Sequence, residues 1–584
     1  MSSILRAEHP RPDRVRENWK TLNGQWRFAF DDDMRGTKEK WYRIFPESRA
    51  IEVPFCYQSS LSGIGSTEHC DVVWYQREIA IPTDMTGRRL LHFSAVDYRA
   101  DVWLDGQYLG WHEGGYTPFT FDITDLTEAG KSYTLTVRCE DRLDFDQPRG
   151  KQSYRPEPFS CWYTPVTGIW QSVWLEGVGE YYPVDFRLTP CVENASLAVE
   201  VTLNNLPKNA SVRLTASFQG NIVARQQTDV TTDRLIRTDL FLRHDECLEG
   251  IHMWSPQNPA LYDLKIETLV DGEICDSVST YFGMRKVEIV GNKVLLNREV
   301  IEQRLILDQG YWPDGLLTAP SDDALRHDVE LTRAMGFNGA RKHQKFEDPR
   351  YLYWADKLGL LVWGELPSAY WLRDSQKRNL MRDLSEAIRR DYNHPCLIAW
   401  VPLNESWGVP FIQTHREAQK LAEMLYAVAH GLDGTRIVSG NDGWEQAATD
   451  LFTIHDYTAW PEQLSQEYAD KDAMHAGNPG SGRMVTAQGY NHQDKPTLIT
   501  EYGGIAMQKD SHGENWGYNG AESDEMAFLK RFEAITQAFR RMPGVSGYCY
   551  TQLTDVFQEV NGLLDMDRNP KVSIEAIRRI NEMR

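Results

Sequence analysis

Paired cysteines are missing from this 584-residue sequence. Its nine cysteines, an odd number scattered from Cys56 to Cys549 without a CxxC pair, offer neither a disulfide framework nor a zinc-ligand set. Long hydrophobic runs are missing as well. The opening stretch Met1–Pro10 carries early charges and prolines in place of the apolar core of a secretion signal, and no later stretch is long enough to cross a bilayer. Positive charge is in deficit: 63 Lys and Arg face 84 Asp and Glu, a net charge of -21. Such a surface repels phosphate backbones and acidic lipid, which argues against nucleic acid or membrane as a partner. A cytoplasmic protein acting on a neutral substrate is the expectation these absences leave.

What is present is ordinary soluble composition, 41% hydrophobic and 25% charged, with many aromatics. The 19 Trp and 26 Tyr exceed what a core needs, so some are free to stack on sugar rings. The length exceeds a single core and leaves room for a barrel of about 250 residues.

From Trp26 to Glu176 short alternating strands are separated by turn residues, as in Val102–Gly110 with its Asp105-Gly106 hairpin signal, and predict a β-sandwich whose last strand is Ile169–Leu175. From Gly177 to Phe282 the alternation continues, in Ser196–Leu203 and Tyr262–Val270, and predicts an immunoglobulin-like sandwich. After Met284 the grammar becomes strands alternating with helices. Strands at 304–308, 337–341, 360–363, 397–401, 436–439, 451–455, 497–500 and 545–550 give a count of eight, with helices at 321–335, 349–358, 418–429 and 528–539. The third domain therefore reads as a TIM barrel. The expected boundaries are 1–180, 181–283 and 284–584.

A barrel does its chemistry at the C-terminal ends of its strands. There the sequence places Asp308, Arg341, Glu365, Asn404, Glu405, Asn441, Asp442, His455, Tyr457, Glu501 and Tyr550. Two of these stand out. Pro395–Gly408 is an apolar strand ending in Asn404-Glu405 between Trp400 and Trp407, and Pro496–Thr500 runs into Glu501-Tyr502-Gly503. Two strand-end glutamates are what two-carboxylate chemistry on a sugar requires, with a separation of about 5–5.5 Å for retention and a wider one for inversion. Plainer readings exist for the others. Glu365 alone reads as a solvated charge, Asp308 and Asp442 as helix caps, His343 and His455 as hydrogen-bonded loop residues, and Trp312 as core or pocket wall.

Several stretches together resemble glycoside hydrolase family 2, the β-galactosidase, β-glucuronidase and β-mannosidase family, over nearly the whole chain. They are His112–Phe119, Phe282-Gly283-Met284-Arg285, Arg390–Pro395, Asn404-Glu405 and Glu501-Tyr502-Gly503. The resemblance implies a jelly-roll sugar-binding domain, an immunoglobulin-like sandwich and a catalytic TIM (β/α)8 barrel. It makes Glu405 the acid/base and Glu501 the nucleophile, with Asn404 on the sugar 2-hydroxyl, Arg341 beside the nucleophile and Tyr457 donating to it. Asp308, His343, Glu365, His455, Trp312, Tyr550 and Glu559 complete the expected substrate-binding set, Tyr550 standing where many relatives place a tryptophan under the sugar. No cofactor and no metal are expected, because Glu365 is followed by Leu366-Pro367-Ser368 where large β-galactosidases carry a metal motif. The expected partner is an oligosaccharide or small glycoside, and the family leaves room for a homo-oligomer.

Two departures bear on the substrate. Where β-glucuronidases carry Asn-x-Lys for the sugar carboxylate, this chain has Glu559-Val560-Asn561-Gly562, a carboxylate that would repel a uronic acid. The stretches Asp308–Gly315 and Arg341–Lys345 also differ from the galactosidase pattern. The expectation is a retaining exo-glycosidase for a neutral sugar, β-galactosidase-like first and an α-L-arabinofuranosidase or β-galactofuranosidase second. A non-catalytic carbohydrate-binding protein is the reading from another class, and the presence of both glutamates speaks against it.

Overall fold

The computed structural model describes residues 4–242, 251–469, 474–475, 477, 483–510, 513–542 and 544–583. The first sandwich packs a four-stranded sheet on a six-stranded one. Its strand Gly24–Phe30 buries Trp26 and Phe28 while Gln25 and Arg27 face outward, the period of two expected of a strand with one dry face. Asp105 and Gly106 both adopt positive φ, 47° and 76°, as a two-residue hairpin requires. The strand expected at Ile169–Leu175 is instead two. Gly168–Ile169 pairs with Val96–Asp97, and Val173–Val178 pairs with Arg88–Phe93. Between them Trp170 turns into the interior and donates its indole N–H to Gly115 O at 2.7 Å, a contact that a continuous ladder would forbid.

The second sandwich has three strands facing four, from Pro183–Cys191 to Glu273–Phe282. The N-terminal segment belongs to neither sandwich alone. Val15 pairs with Ser279, Arg16 bridges Glu176 and Asp276, and Arg6 reaches Asp348 of the barrel at 2.8 Å. It straps the three parts together. A small antiparallel sheet, Val287–Val290, Lys293–Leu296 and Glu299–Val300, precedes the barrel and has no counterpart in the sequence reading.

The barrel strands are β1 (Gln303–Asp308), β2 (Gly339–Lys342), β3 (Leu361–Glu365), β4 (Leu397–Val401), β5 (Ile437–Val438), β6 (Phe452–His455), β7 (Thr497–Gly503) and β8 (Val545–Thr551). They form one parallel eight-stranded sheet. Between the short β5 and β6 the gap is closed by side chains: Gly443 N donates to Thr453 Oγ1 and Gln446 Nε2 to Thr453 O. The helix Pro349–Leu358 falls where expected, with Asp348 accepting from Arg350 N and Gly359 in the left-handed conformation behind it. The helix Asp322–Ala334 is capped by Ser321 and not by Asp308.

Strand parity decides which strand-end residues reach the mouth. In β2 and β3, Arg341 and Glu365 meet inside the barrel, so Lys342, one residue on, faces the helix layer. Asp308 is its partner there.

Candidate active site

The chain turns sharply after β4. Glu405 and Ser406 both take left-handed backbone, φ 50° and 57°, which costs a non-glycine residue about 1–3 kcal/mol. The strained turn is held by Glu405 N donating to Asp442 O and Ser406 N donating to Asn441 Oδ1. It brings the Glu405 carboxylate to face Glu501 at the end of β7. One oxygen from each glutamate and one ring nitrogen of His455 lie within 4.8 Å of one another.

Arg341, fully buried, organises the floor. Its Nε donates to Glu365 Oε2 at 2.7 Å, Nη1 to Glu501 Oε1 at 2.9 Å and Nη2 to Asn404 Oδ1 at 2.7 Å, and Nη1 lies 3.2 Å from Asp442 Oδ2. Because Arg341 takes the Asn404 oxygen, the Asn404 amide nitrogen remains as a donor for a sugar hydroxyl. Tyr457 donates to Glu501 Oε2 at 2.6 Å and stacks on Tyr518 at 3.6 Å between ring centres. Burial pushes the Tyr457 phenol well up, so it stays a donor.

His455 bridges the acids. Its Nδ1 lies 2.8 Å from Glu405 Oε1 and 3.5 Å from Glu501 Oε1, and its Nε2 lies 3.0 Å from Asp442 Oδ2. Burial disfavours the imidazolium, but Glu501, Asp442 and Glu405 outweigh it and hold the group up at about 10. Burial likewise raises Glu405, yet the hydrogen bond and charge of His455, with Lys151 and Arg341 behind it, leave that carboxyl below its ordinary range. Burial pushes Glu365 up to about 7 despite Arg341. The trio of Glu405, His455 and Glu501 has the spacing of a metal site, but the charged imidazole and Arg341 already supply the cations.

The His455 pair has a consequence for stability. A histidine raised from about 6.5 unfolded to about 10 folded contributes stability fully below pH 6.5 and loses it as pH climbs through 10. His455→Asn should therefore lower the barrel's Tm most near pH 6, with the gap to the parent closing towards pH 10. A gap independent of pH would exclude a charged His455.

The structure brings Arg341, Asn404, Glu405, His455, Tyr457 and Glu501 together, with Glu365 and His343 behind them. Glu365, read alone as a solvated charge, is fully buried. His343 Nδ1 stands 3.1 Å from Glu365 Oε1 without hydrogen-bond alignment, and burial drives its pKa well down, so it is neutral. Asp442 caps no helix; it joins Arg341 and His455.

Three expected ligands are elsewhere. Asp308 points outward, its Oδ2 accepting from Lys342 Nζ at 2.8 Å and its Oδ1 from Gly310 N. Tyr550 is also on the outer face, 4.9 Å from Phe532 of the helix Glu525–Arg541 and 5.4 Å from Tyr502; its neighbours Cys549 and Thr551 face the site. Trp312 lies under the Arg568 guanidinium at 3.5 Å. Glu559 is in the mouth, 3% exposed, accepting from Tyr163 Oη at 2.6 Å and Asn561 Nδ2 at 3.1 Å.

Tyr163, Lys151 and Trp162 of the first domain also reach this mouth, and sequence reasoning missed them. They sit far from the barrel in the chain, and nothing short of domain docking reveals them. Tyr518 was missed as well, since it belongs to no strand.

Paired glutamates after the fourth and seventh strands of a (β/α)8 barrel define a glycoside hydrolase. Residues 19–175 match the sugar binding domain of Glycosyl hydrolases family 2, residues 183–285 the family's second domain, and residues 318–583 its TIM barrel domain. The chain belongs to glycosyl hydrolases family 2. It is 29% identical over 499 residues to a putative beta-glucuronidase of Formosa agariphila, covering 77% of this chain and 58% of that protein. It is 27% identical over 407 residues to a beta-galactosidase of Thermoanaerobacter pseudethanolicus, covering 66% and 51%. The chain thus spans little more than half the length of these two relatives. A β-glucuronidase structure from Ruminococcus gnavus shares the fold, with a TM-score of 0.79 at 19% identity over 99% of this chain and 100% of that one.

Proposed function

We propose that this protein is a retaining exo-glycoside hydrolase that removes a neutral non-reducing-end sugar by double displacement, β-galactosidase-like in its substrate. The observation that carries the reading is the approach of Glu405 and Glu501 to within 4.8 Å, oxygen to oxygen. An inverting enzyme needs about 6.5–9.5 Å between its carboxyls to seat a water.

In this reading Glu501 attacks the anomeric carbon, its charge oriented by Arg341 and Tyr457. Glu405 protonates the leaving oxygen and then draws a proton from the incoming water. Its low pKa at rest suits the second role; for the first, the proton waits 2.8 Å away on His455 Nδ1 and passes through Glu405 as the bond breaks. Asn404 donates to the sugar 2-hydroxyl, an interaction that strengthens in the oxocarbenium-like transition state. Both carboxylates and their partners are in place, which speaks against a purely binding role.

Glu405→Ala should spare glycosides with activated phenol leaving groups relative to alkyl or sugar glycosides, because good leaving groups depart with little protonation. Azide should restore turnover as a glycosyl azide of retained configuration. Equal loss on all substrates, with no azide product, would reassign the acid/base.

Glu559 supports a neutral sugar. Its buried carboxyl accepts from two neutral donors, Tyr163 Oη and Asn561 Nδ2, and stands in the pocket. A uronate brought beside it meets repulsion of several kcal/mol in a partly desolvated site, a loss on the order of 10²-fold or more. Kinetics on matched 4-nitrophenyl galactoside and glucuronide should favour the neutral sugar by at least that factor, and preference for the glucuronide sinks the argument. A furanoside is the second reading, on the departure of the stretches Asp308–Gly315 and Arg341–Lys345 from the galactosidase pattern.

A further inference from the structure

The mouth has a wall that the chemistry above does not use. Residues 145–163 of the first domain lie along the barrel loops. Arg149 N and Gly150 N both donate to Ser368 O at 3.1 Å, and Gln558 Nε2 donates to Ser160 O at 2.7 Å and Trp162 O at 3.1 Å. Gly150 is required at this approach: its φ is +60°, and a Cβ would stand 2.2 Å from Gln344 O.

The segment completes an aromatic strip that starts at Glu405. The Trp407 indole N–H points to Glu405 Oε2 at 3.4 Å. Trp407 then meets Trp162 at 5.3 Å, Tyr370 at 5.8 Å and Trp444 at 6.1 Å, and Trp162 leads on to Phe159 at 5.0 Å. Glu405 protonates the leaving oxygen in the proposed reaction, so the rings beside it stand on the leaving-group side.

Cations lie over these rings, in a chain whose net charge is -21. Lys151 Nζ is 5.9 Å from the Trp162 ring, Arg155 is 4.2 Å from Phe159 and Arg483 is 3.8 Å from Trp444. Arg483 also faces Glu445 at 3.3 Å, whereas among the described residues neither Lys151 nor Arg155 makes an ion pair. Burial would lower Lys151, but the fields of Cys161, Glu559, Tyr370 and Glu405 hold its pKa up, and it is charged at neutral pH.

We infer that this strip, built across two domains, is an aglycone subsite for an acidic ring, with the ring face on the half-buried Trp407 and the negative charge on Lys151 and Arg155. The inference rests on Glu405 being the acid/base, which sets the leaving-group side. A flat sugar or phenyl face buries its C–H or π surface on the Trp407 indole, and a carboxylate or sulfate meets cations that make no close ion pair among the described residues. The neutral sugar sits deeper, beside Glu559, and the acidic group outside it.

The test compares two aryl glycosides with leaving groups of equal acidity, one carrying a ring carboxylate. The ratio of their kcat/KM values should favour the carboxylate at least tenfold at low salt, fall towards one in 0.5 M salt, and collapse in the Lys151→Met/Arg155→Gln double variant. A ratio near one in the parent at low salt overturns the inference while leaving the hydrolase reading intact. Calorimetric titration with the carboxylated phenol and with a uronate-containing disaccharide reads the subsite without turnover. Salt-sensitive binding that is lost in the double variant supports the inference even if neither glycoside is hydrolysed, and the disaccharide arm tells a sugar acid from a phenolic one. No binding of either compound by the parent overturns it.

Discussion

Glu501→Ala should lower kcat/KM on any aryl glycoside by on the order of 10⁴- to 10⁶-fold, the scale of losing a covalent nucleophile. Glu501 is 4% exposed, with Arg341 Nη1 at 2.9 Å on one oxygen and the Tyr457 hydroxyl at 2.6 Å on the other. Each oxygen is thereby oriented, and one face of the carboxylate is left for the sugar. With Glu405 this near there is no room for a water on the attacking side, and the mechanism we propose therefore makes Glu501 the nucleophile. Two displacements restore the starting anomeric configuration. Proton NMR of the first-formed hemiacetal, taken before mutarotation, should show retention, and a 2-deoxy-2-fluoro glycosyl inhibitor should label Glu501 in a mass-spectrometric peptide map. Inverted first product, or label on another residue, rules the mechanism out. Unlike Glu405→Ala, this variant should gain little from an activated leaving group, since the missing group is the attacker.

Arg341→Met should be the most destabilising single change in the barrel, costing about 3–5 kcal/mol. The methionine fills similar volume, so the loss is electrostatic. Glu365, Asp442, Glu501 and Asn404 Oδ1 all turn to this one guanidinium, and Arg341 and Glu365 are wholly excluded from solvent. Removing it leaves buried negative charge with His455 as the cation still in contact. Glu365, already pushed up to about 7, then takes a proton at neutral pH and relieves part of the cost. For a barrel of this size the loss corresponds to a fall in its melting transition of roughly 6–20 °C. Arg341→Lys should recover only part of it, because an ammonium cannot present the planar fork that reaches four acceptors. A Tm within a degree or two of the parent in Arg341→Met would show that the cluster's charges are neutralised in some other way.

Much of the site is legible in the chain. Asn404-Glu405 and Glu501-Tyr502-Gly503 stand after short apolar runs, and the C-terminal ends of barrel strands lie at the working face. The helix Pro349–Leu358 is announced by its own ends, Asp348 before Pro349 and Gly359 after Leu358, and forms at those residues. Local rules suffice where the deciding contacts are local.

Parity is where they stop. Barrel strands are buried on both faces, so Leu307 and Asp308, or Cys549 and Tyr550, are equally enclosed and carry no alternation to say which side looks inward. Asp308 and Tyr550 therefore read as pocket residues and are not. Depth is a second limit. Nothing in Trp363-Gly364-Glu365 tells a solvated strand end from a fully buried carboxylate, because the answer lies in Arg341 of the neighbouring strand.

The sequence by itself determined the three-domain order, the barrel, the pair of strand-end glutamates and the carboxylate at Glu559, since each rests on a pattern or motif within a few residues. Only the tertiary structure decided the pairing of His455 with Asp442 and Glu405, the outward turn of Asp308 and Tyr550, and the arrival of Lys151, Trp162 and Tyr163 from another domain. These depend on side chains tens to hundreds of residues apart meeting in a low-dielectric interior, where a charge must find its partner or not be buried at all.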